Sequence, residues 1–212
     1  MVDDMLYHRN FHPPALTDAG GESSARTSRT LAHVRRWGLA AGLLLGAASA
    51  AHAQAQGIDW TLVGGASNES SVRSLGVTAG WTRPAPLWQG ETWRLRLRHE
   101  GVLAAWHVPR AKDLVEIGYS PVLRLERPLS GGSSVFFLEG SIGVRLLSHT
   151  RVSQEHRMST AFQFADMLGV GMQFGREARS TLGLRVQHLS NLGIKKPNPG
   201  IEFLQLYYSY RF

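Results

Sequence analysis

The chain has 212 residues, room for one domain and a leader, and no cysteine, which excludes a disulfide framework and any thiolate metal site. Its 23 Lys and Arg outnumber its 16 Asp and Glu, for a net charge of +7 at pH 7. A basic excess favours an anionic partner: nucleic acid, phosphorylated lipid or a membrane surface.

In chain order, the first element is a targeting segment. Arg35 and Arg36 precede an apolar run, WGLAAGLLLGAASAA, from Trp37 to Ala51, and Ala51-His52-Ala53 supplies small residues at a cleavage point. This is the pattern of a secretory signal peptide. The apolar run is shorter than the ~20 residues of a spanning helix. We therefore expect residues 1–53 to be a disordered, cleaved leader and signal peptide, and residues 54–212 to be the working domain.

After Ala53 no apolar run approaches the length of a spanning helix, and alternation with period 2 recurs instead. Trp93, Leu95 and Leu97 alternate with Arg94, Arg96, Arg98 and Glu100. Val115, Ile117, Tyr119, Leu123 and Leu125 alternate with Glu116, Ser120, Arg124 and Glu126. Phe136, Leu138, Ile142, Val144 and Leu146 alternate with Phe137, Glu139, Ser141, Gly143 and Arg145. Eight such segments are predicted, at 57–67, 72–83, 92–106, 112–127, 133–149, 158–175, 179–190 and 201–212. Turn-forming residues fall between several of them: SNESS at 67–71, RPAPLWQG at 83–90 and RPLSGGSS at 127–134.

A soluble sandwich would turn the oily face inward, and a membrane barrel would turn it outward. The secretory signal favours the barrel. So do segments longer than the ~9–11 residues that cross a bilayer, and the aromatic end LYYSYRF with its terminal Phe212, which resembles the C-terminal signature of bacterial outer-membrane barrels. The predicted fold class is all-β: an eight-stranded antiparallel transmembrane β-barrel of the bacterial outer membrane, multi-pass and closed so that no edge meets lipid. The inward Arg and Glu residues would pair with one another inside it as a structural network. Nucleic-acid binding is disfavoured, because the positive charge is spread along alternating strands.

The same parity raises a question about the last two strands. His188 and Ser190 share a face with Leu182, Leu184 and Val186, and Glu202 shares one with Leu204, Leu206, Tyr208, Tyr210 and Phe212. All three polar residues would face lipid. With both termini in the periplasm, the 191–200 connection is extracellular and the three cluster at the outer leaflet, where lipopolysaccharide and its lipid A anchor lie. Residues i and i+2 lie about 6.5–7 Å apart on one strand face. A His188 opposite Glu202 would stand between a hydroxyl and a carboxylate, as a base between nucleophile and orienter must. An interfacial anchor is the alternative for any one of them. Asp166 would fall beside His188 if Gly175–Arg179 is a turn. The other histidines of the working domain, His99, His107, His149 and His156, lack a comparable partner set in the sequence.

The fifteen residues His188-Leu189-Ser190-Asn191-Leu192-Gly193-Ile194-Lys195-Lys196-Pro197-Asn198-Pro199-Gly200-Ile201-Glu202 resemble the motif of the PagL family, H-x-S-N-x-G-[IL]-K-x-P-N-x-G-I-E. These are outer-membrane lipid A 3-O-deacylases with eight-stranded barrels. The resemblance implies Ser190 as nucleophile, His188 as general base and Glu202 as orienting acid. It further implies that Asn191, by its side chain, and Gly193, by its backbone N–H, meet the oxyanion. The implied reaction is hydrolysis of the ester at position 3 of lipid A through an acyl-enzyme, with no metal and no cofactor. Lys195 and Lys196 are candidate contacts to phosphates or acidic sugars of lipopolysaccharide, with rim snorkelling as the alternative. The expected partners are lipid A or lipopolysaccharide and the outer-membrane bilayer, with a homodimer left open. Two other readings stand beside this one: an outer-membrane phospholipase, and a non-enzymatic small barrel for adhesion or envelope integrity.

Overall fold

The computed structural model describes residues 57–212 other than 70, 130–132 and 154–155. The expected leader and its cleavage point lie outside the described residues. In chain order the elements are β1 (Ile58–Ser67), β2 (Arg73–Thr82), a two-residue β3 (Trp88–Gln89), β4 (Arg94–His107), β5 (Leu114–Pro128), β6 (Val135–Leu147), β7 (Phe162–Phe174), β8 (Ser180–Ser190) and β9 (Ile201–Arg211). Apart from β3 they are the eight segments that the alternation predicts, with ends shifted by a few residues. Each long strand pairs antiparallel with its neighbours. β1 also pairs with β9, so the eight long strands close into a barrel, and β3 is a short flap on the end of β4. Closure satisfies the backbone of every long strand on both sides, which hydrocarbon demands.

The oily parity faces out. Ile142 is 70% exposed and Leu168 75%. Along β7 and β8 the outward set continues through Val170, Met172, Leu182, Leu184 and Val186. The polar parity faces in and is paired. Glu100 accepts from Arg98 Nε at 3.0 Å and from Arg185 Nη1 at 3.1 Å. Arg124 donates through Nε and Nη2 to Glu139 Oε2, at 3.1 and 2.7 Å. Arg145 Nε donates to Glu116 at 2.6 Å, and the Tyr207 hydroxyl donates to Glu139 at 2.8 Å. Arg98 also reaches Asp59. Space for these long chains comes partly from glycine: a Cβ at Gly183 would come within 2.3 Å of the Tyr207 ring.

The end of the interior at which β8 ends and β9 begins is built differently. There Trp106, Leu114, Leu147, Met158, Ala165, Leu189, Ile201 and Phe203 form an apolar cluster together with Val72, Val108 and Val152. Trp106 and Phe203 meet edge to face at 4.6 Å, while the indole N–H of Trp106 donates to Glu116 at 2.7 Å. Ion pairs therefore occupy the middle of the barrel and apolar side chains this mouth. The inward faces of β8 and β9 change character just where their outward faces carry His188, Ser190 and Glu202.

Candidate active site

β8 and β9 carry the site because their register is fixed along eleven-residue strands with one oily face. His188 lies directly opposite Glu202. Their side chains approach to 3.6 Å, from His188 Nδ1 to Glu202 Oε1, on the outer surface. Across the other edge of β8, Asp166 is directly opposite His188 and Phe164 is opposite Ser190. The histidine is thus flanked by a carboxylate on each neighbouring strand.

Ser190 is the last residue of β8 and keeps the outward parity of His188. It is less open than that parity suggests, with only 7% of its surface exposed. The chain turns back over it through Leu192 and Gly193, both at positive φ (52° and 78°). The Leu192 N–H donates to Ser190 Oγ at 3.5 Å. Among the described residues no hydrogen bond joins His188 to Ser190.

The 191–200 loop is a built structure. Asn191 is 1% exposed. Its amide donates to Ser159 Oγ and to the Lys195 carbonyl, both at 2.8 Å, and its Oδ1 accepts the Gly193 N–H at 2.9 Å. Its own N–H donates to Asn198 Oδ1 at 3.0 Å. Both donors that the family resemblance assigns to the oxyanion are therefore engaged within the loop, and the backbone N–H that points at Ser190 belongs to Leu192. The Lys195 and Lys196 side chains lie on the exposed loop. Gly200 ends the loop at φ +67°, pressed against His188: a Cβ there would stand 2.7 Å from Cε1 and 3.2 Å from Nε2 of the ring.

Several contributors were invisible to sequence reasoning. Ser159, on the β6–β7 connection, accepts from Asn191 and donates to the Lys195 carbonyl at 2.6 Å. Asn68, after β1, accepts the Glu202 N–H at 3.3 Å and donates its own N–H to the Glu202 carbonyl at 3.3 Å. These partners lie 32 and 134 residues away from the residues they hold, so no local spacing points to them. Two other histidines do meet carboxylates: His107 Nδ1 is 3.0 Å from Asp113 and His156 Nδ1 is 3.5 Å from Glu69. His99 instead stacks between Trp81 and Tyr119.

Residues 73–211 match the family described as lipid A 3-O-deacylase (PagL). A lipid A deacylase PagL of Bordetella bronchiseptica is 34% identical over 140 residues, covering 64% of this chain and 75% of that protein. One from Pseudomonas aeruginosa is 32% identical over 168 residues, covering 78% of this chain and 93% of that protein. The crystal structure of the outer membrane enzyme PagL superposes with a TM-score of 0.65 at 29% identity, covering 73% of this chain and 99% of that one.

Proposed function

Since the chain belongs to the lipid A 3-O-deacylase (PagL) family, an outer-membrane barrel and an ester hydrolase, we propose that it removes the 3-hydroxyacyl chain esterified at position 3 of lipid A, using Ser190, His188 and Glu202. The observation that carries this reading is the outward pairing of His188 with Glu202 at the extracellular end of the barrel, with Ser190 two residues on. A serine hydroxyl is a weak nucleophile until a neighbouring base takes its proton. An imidazole beside a carboxylate can be that base, with the carboxylate holding the ring and stabilising its cation.

In the proposed reaction the Ser190 hydroxyl attacks the ester carbonyl carbon as its proton passes to His188. The tetrahedral oxyanion meets donors of the 191–193 turn. The Leu192 N–H already points at Ser190 Oγ, and Asn191 and Gly193 contribute as the hydrogen bonds of the turn exchange. Collapse breaks the bond to the sugar oxygen, which leaves with the proton from His188. Water, deprotonated by His188, then hydrolyses the acyl-serine ester and frees a 3-hydroxy fatty acid. Oxyanion donors of this kind contribute about 10²–10³ in rate. The oily face below the three residues gives the scissile acyl chain an apolar surface to lie on, so substrate and membrane reach the site from the same side. Lys195 and Lys196 reach toward the anionic headgroup, and the reaction as written uses no cofactor.

The test is a mass spectrum of lipid A from outer membranes that lack any deacylase, expressing the chain or its Ser190→Ala form. The expected result is loss of one 3-hydroxyacyl chain with the unaltered protein only. Intact lipid A in both, with folded barrel present, would overturn the assignment. A phospholipid assay on the same membranes then separates a phospholipase from a non-enzymatic barrel.

A further inference from the structure

The extracellular end carries a second feature that the hydrolytic residues do not use. Lys112, Ser148, His149, Thr150, Arg151 and Arg157 line an open cleft of about 440 Å³. Arg151 and Arg157 stand directly opposite each other across an isolated antiparallel bridge. Like charges at paired positions repel and destabilise a strand pair. Among the described residues no carboxylate lines the cleft. The nearest in sequence, Asp113, is turned away, accepting from His107 Nδ1 at 3.0 Å and from the Val108 N–H at 3.2 Å.

Backbone hydrogen bonds hold the two arms of the loop in this pairing. The Met158 N–H donates to the Thr150 carbonyl at 2.8 Å, and the Val152 N–H to the His156 carbonyl at 3.0 Å. Val152 (0% exposed) and Met158 (1%) anchor the two arms in the apolar cluster at the barrel mouth. A cleft lined by two guanidinium groups and an ammonium presents donors, two of them fork-shaped, suited to a phosphate or a carboxylate.

Register places this cleft relative to the nucleophile. Ser190 is opposite Phe164, which is opposite Val144 on β6. Two strand spacings make about 10 Å across the sheet, and the four or five residues from Val144 to His149 add about 13–17 Å toward the extracellular side. The cleft therefore stands above the plane of the reacting ester, on the side where sugars leave the membrane. The same β6–β7 connection supplies Ser159, which is bonded to the 191–200 loop through Asn191 and Lys195.

We propose that the Lys112–Arg151–Arg157 cleft binds an anionic group, phosphate or sugar carboxylate, on the saccharide headgroup of the glycolipid, as a second attachment point beyond the ester. The inference rests on the lipid A deacylase reading for its choice of ligand. The experiment measures binding, so that its outcome does not depend on turnover. The full chain carrying Ser190→Ala, folded in detergent, is titrated with core-bearing lipopolysaccharide, with lipid A and with dephosphorylated lipid A. The same titrations follow with Arg151→Gln/Arg157→Gln added. A control pair, Arg83→Gln/Arg176→Gln, makes the same charge change at the other end of the barrel. Heat-dependent gel mobility checks that each barrel is folded.

The expected result is about tenfold weaker binding for Arg151→Gln/Arg157→Gln, the size of one charged hydrogen bond, with a shallower dependence on salt and no such loss for the control pair. A loss on lipid A that vanishes on the dephosphorylated form identifies a phosphate. A loss confined to core-bearing lipopolysaccharide identifies an anion of the core sugars. Unchanged affinity for all three ligands, or an equal loss in the control pair, overturns the proposal. Turnover by the unaltered chain on the same preparations judges the deacylase reading separately.

Discussion

Gly200 shows how little space surrounds His188, the proposed general base. Its φ of +67° is one that glycine adopts without strain, and its α-carbon faces the His188 ring. Gly200→Ala would both strain the backbone and drive a methyl group to 2.7 Å from Cε1. Displacements near 1 Å cost about 10²-fold in rate, so we expect kcat to fall by about that factor while the barrel stays folded, as judged by gel mobility. Glu202 is half exposed and 3.6 Å from the ring, and Asp166 stands on the opposite flank. Glu202→Gln should therefore slow turnover by about 10²-fold or less. Adding Asp166→Asn should deepen the loss if that second carboxylate supports the ring; kcat/KM of the single and double variants measures it. His188, Ser190 and Glu202 were legible in the sequence because strand parity alone puts three polar side chains among leucines and tyrosines. Gly200's contact was not, since it needs the loop to fold back onto the ring.

The 191–200 loop and the β6–β7 connection act as a joined pair of elements. Ser159 Oγ accepts one amide hydrogen of a nearly buried Asn191 and donates to the Lys195 carbonyl. Ser159→Ala leaves that one amide hydrogen without a partner, while the other still reaches the Lys195 carbonyl, a loss of about 1–3 kcal/mol. Since Ser159 touches no reacting atom, we expect a several-fold fall in kcat/KM from a loosened 191–195 turn. Faster proteolysis of the extracellular loops should accompany it. Sequence patterning recovered the long strands because period-2 alternation is imposed locally by the bilayer on one side and the packed interior on the other. It also gave the turn-like character of residues 191–200. It could not give the bonds that order that turn, because their partners belong to another loop or to the far side of the barrel.

For the whole molecule, the balance lies between a lipid-facing surface and a charged interior. Glu100 holds both Arg98 and Arg185 in the interior. Glu100→Gln would leave buried Arg185 without its carboxylate partner and Arg98 with Asp59 alone, an effect of about 3–5 kcal/mol. Urea unfolding in lipid vesicles should record a drop of that order. On the outside, Leu168 is near the middle of β7 and 75% exposed. Leu168→Arg should cost about 2–4 kcal/mol in a bilayer and much less in detergent that can adapt around the charge. The comparison between the two media separates a lipid-facing site from an interior one.

The sequence by itself determined the all-β class, the number of long strands, the outward turn of their oily faces and the fifteen-residue motif that carries His188, Ser190 and Glu202. These follow from local rules: side chains alternate every residue along a strand, and hydrocarbon admits only closed or helical backbone. Tertiary structure alone decided the rest. It fixed the register that sets Asp166 and Glu202 on either side of His188, as the alternation leads us to expect, covered Ser190 with the following turn, and engaged the amides of Asn191 and Gly193 within the loop. It divided the interior into an ion-paired middle and an apolar mouth, and it drew Arg151 and Arg157 together over that mouth. Each depends on register between strands or on contact between loops far apart in the chain, and closing the barrel is what fixes them.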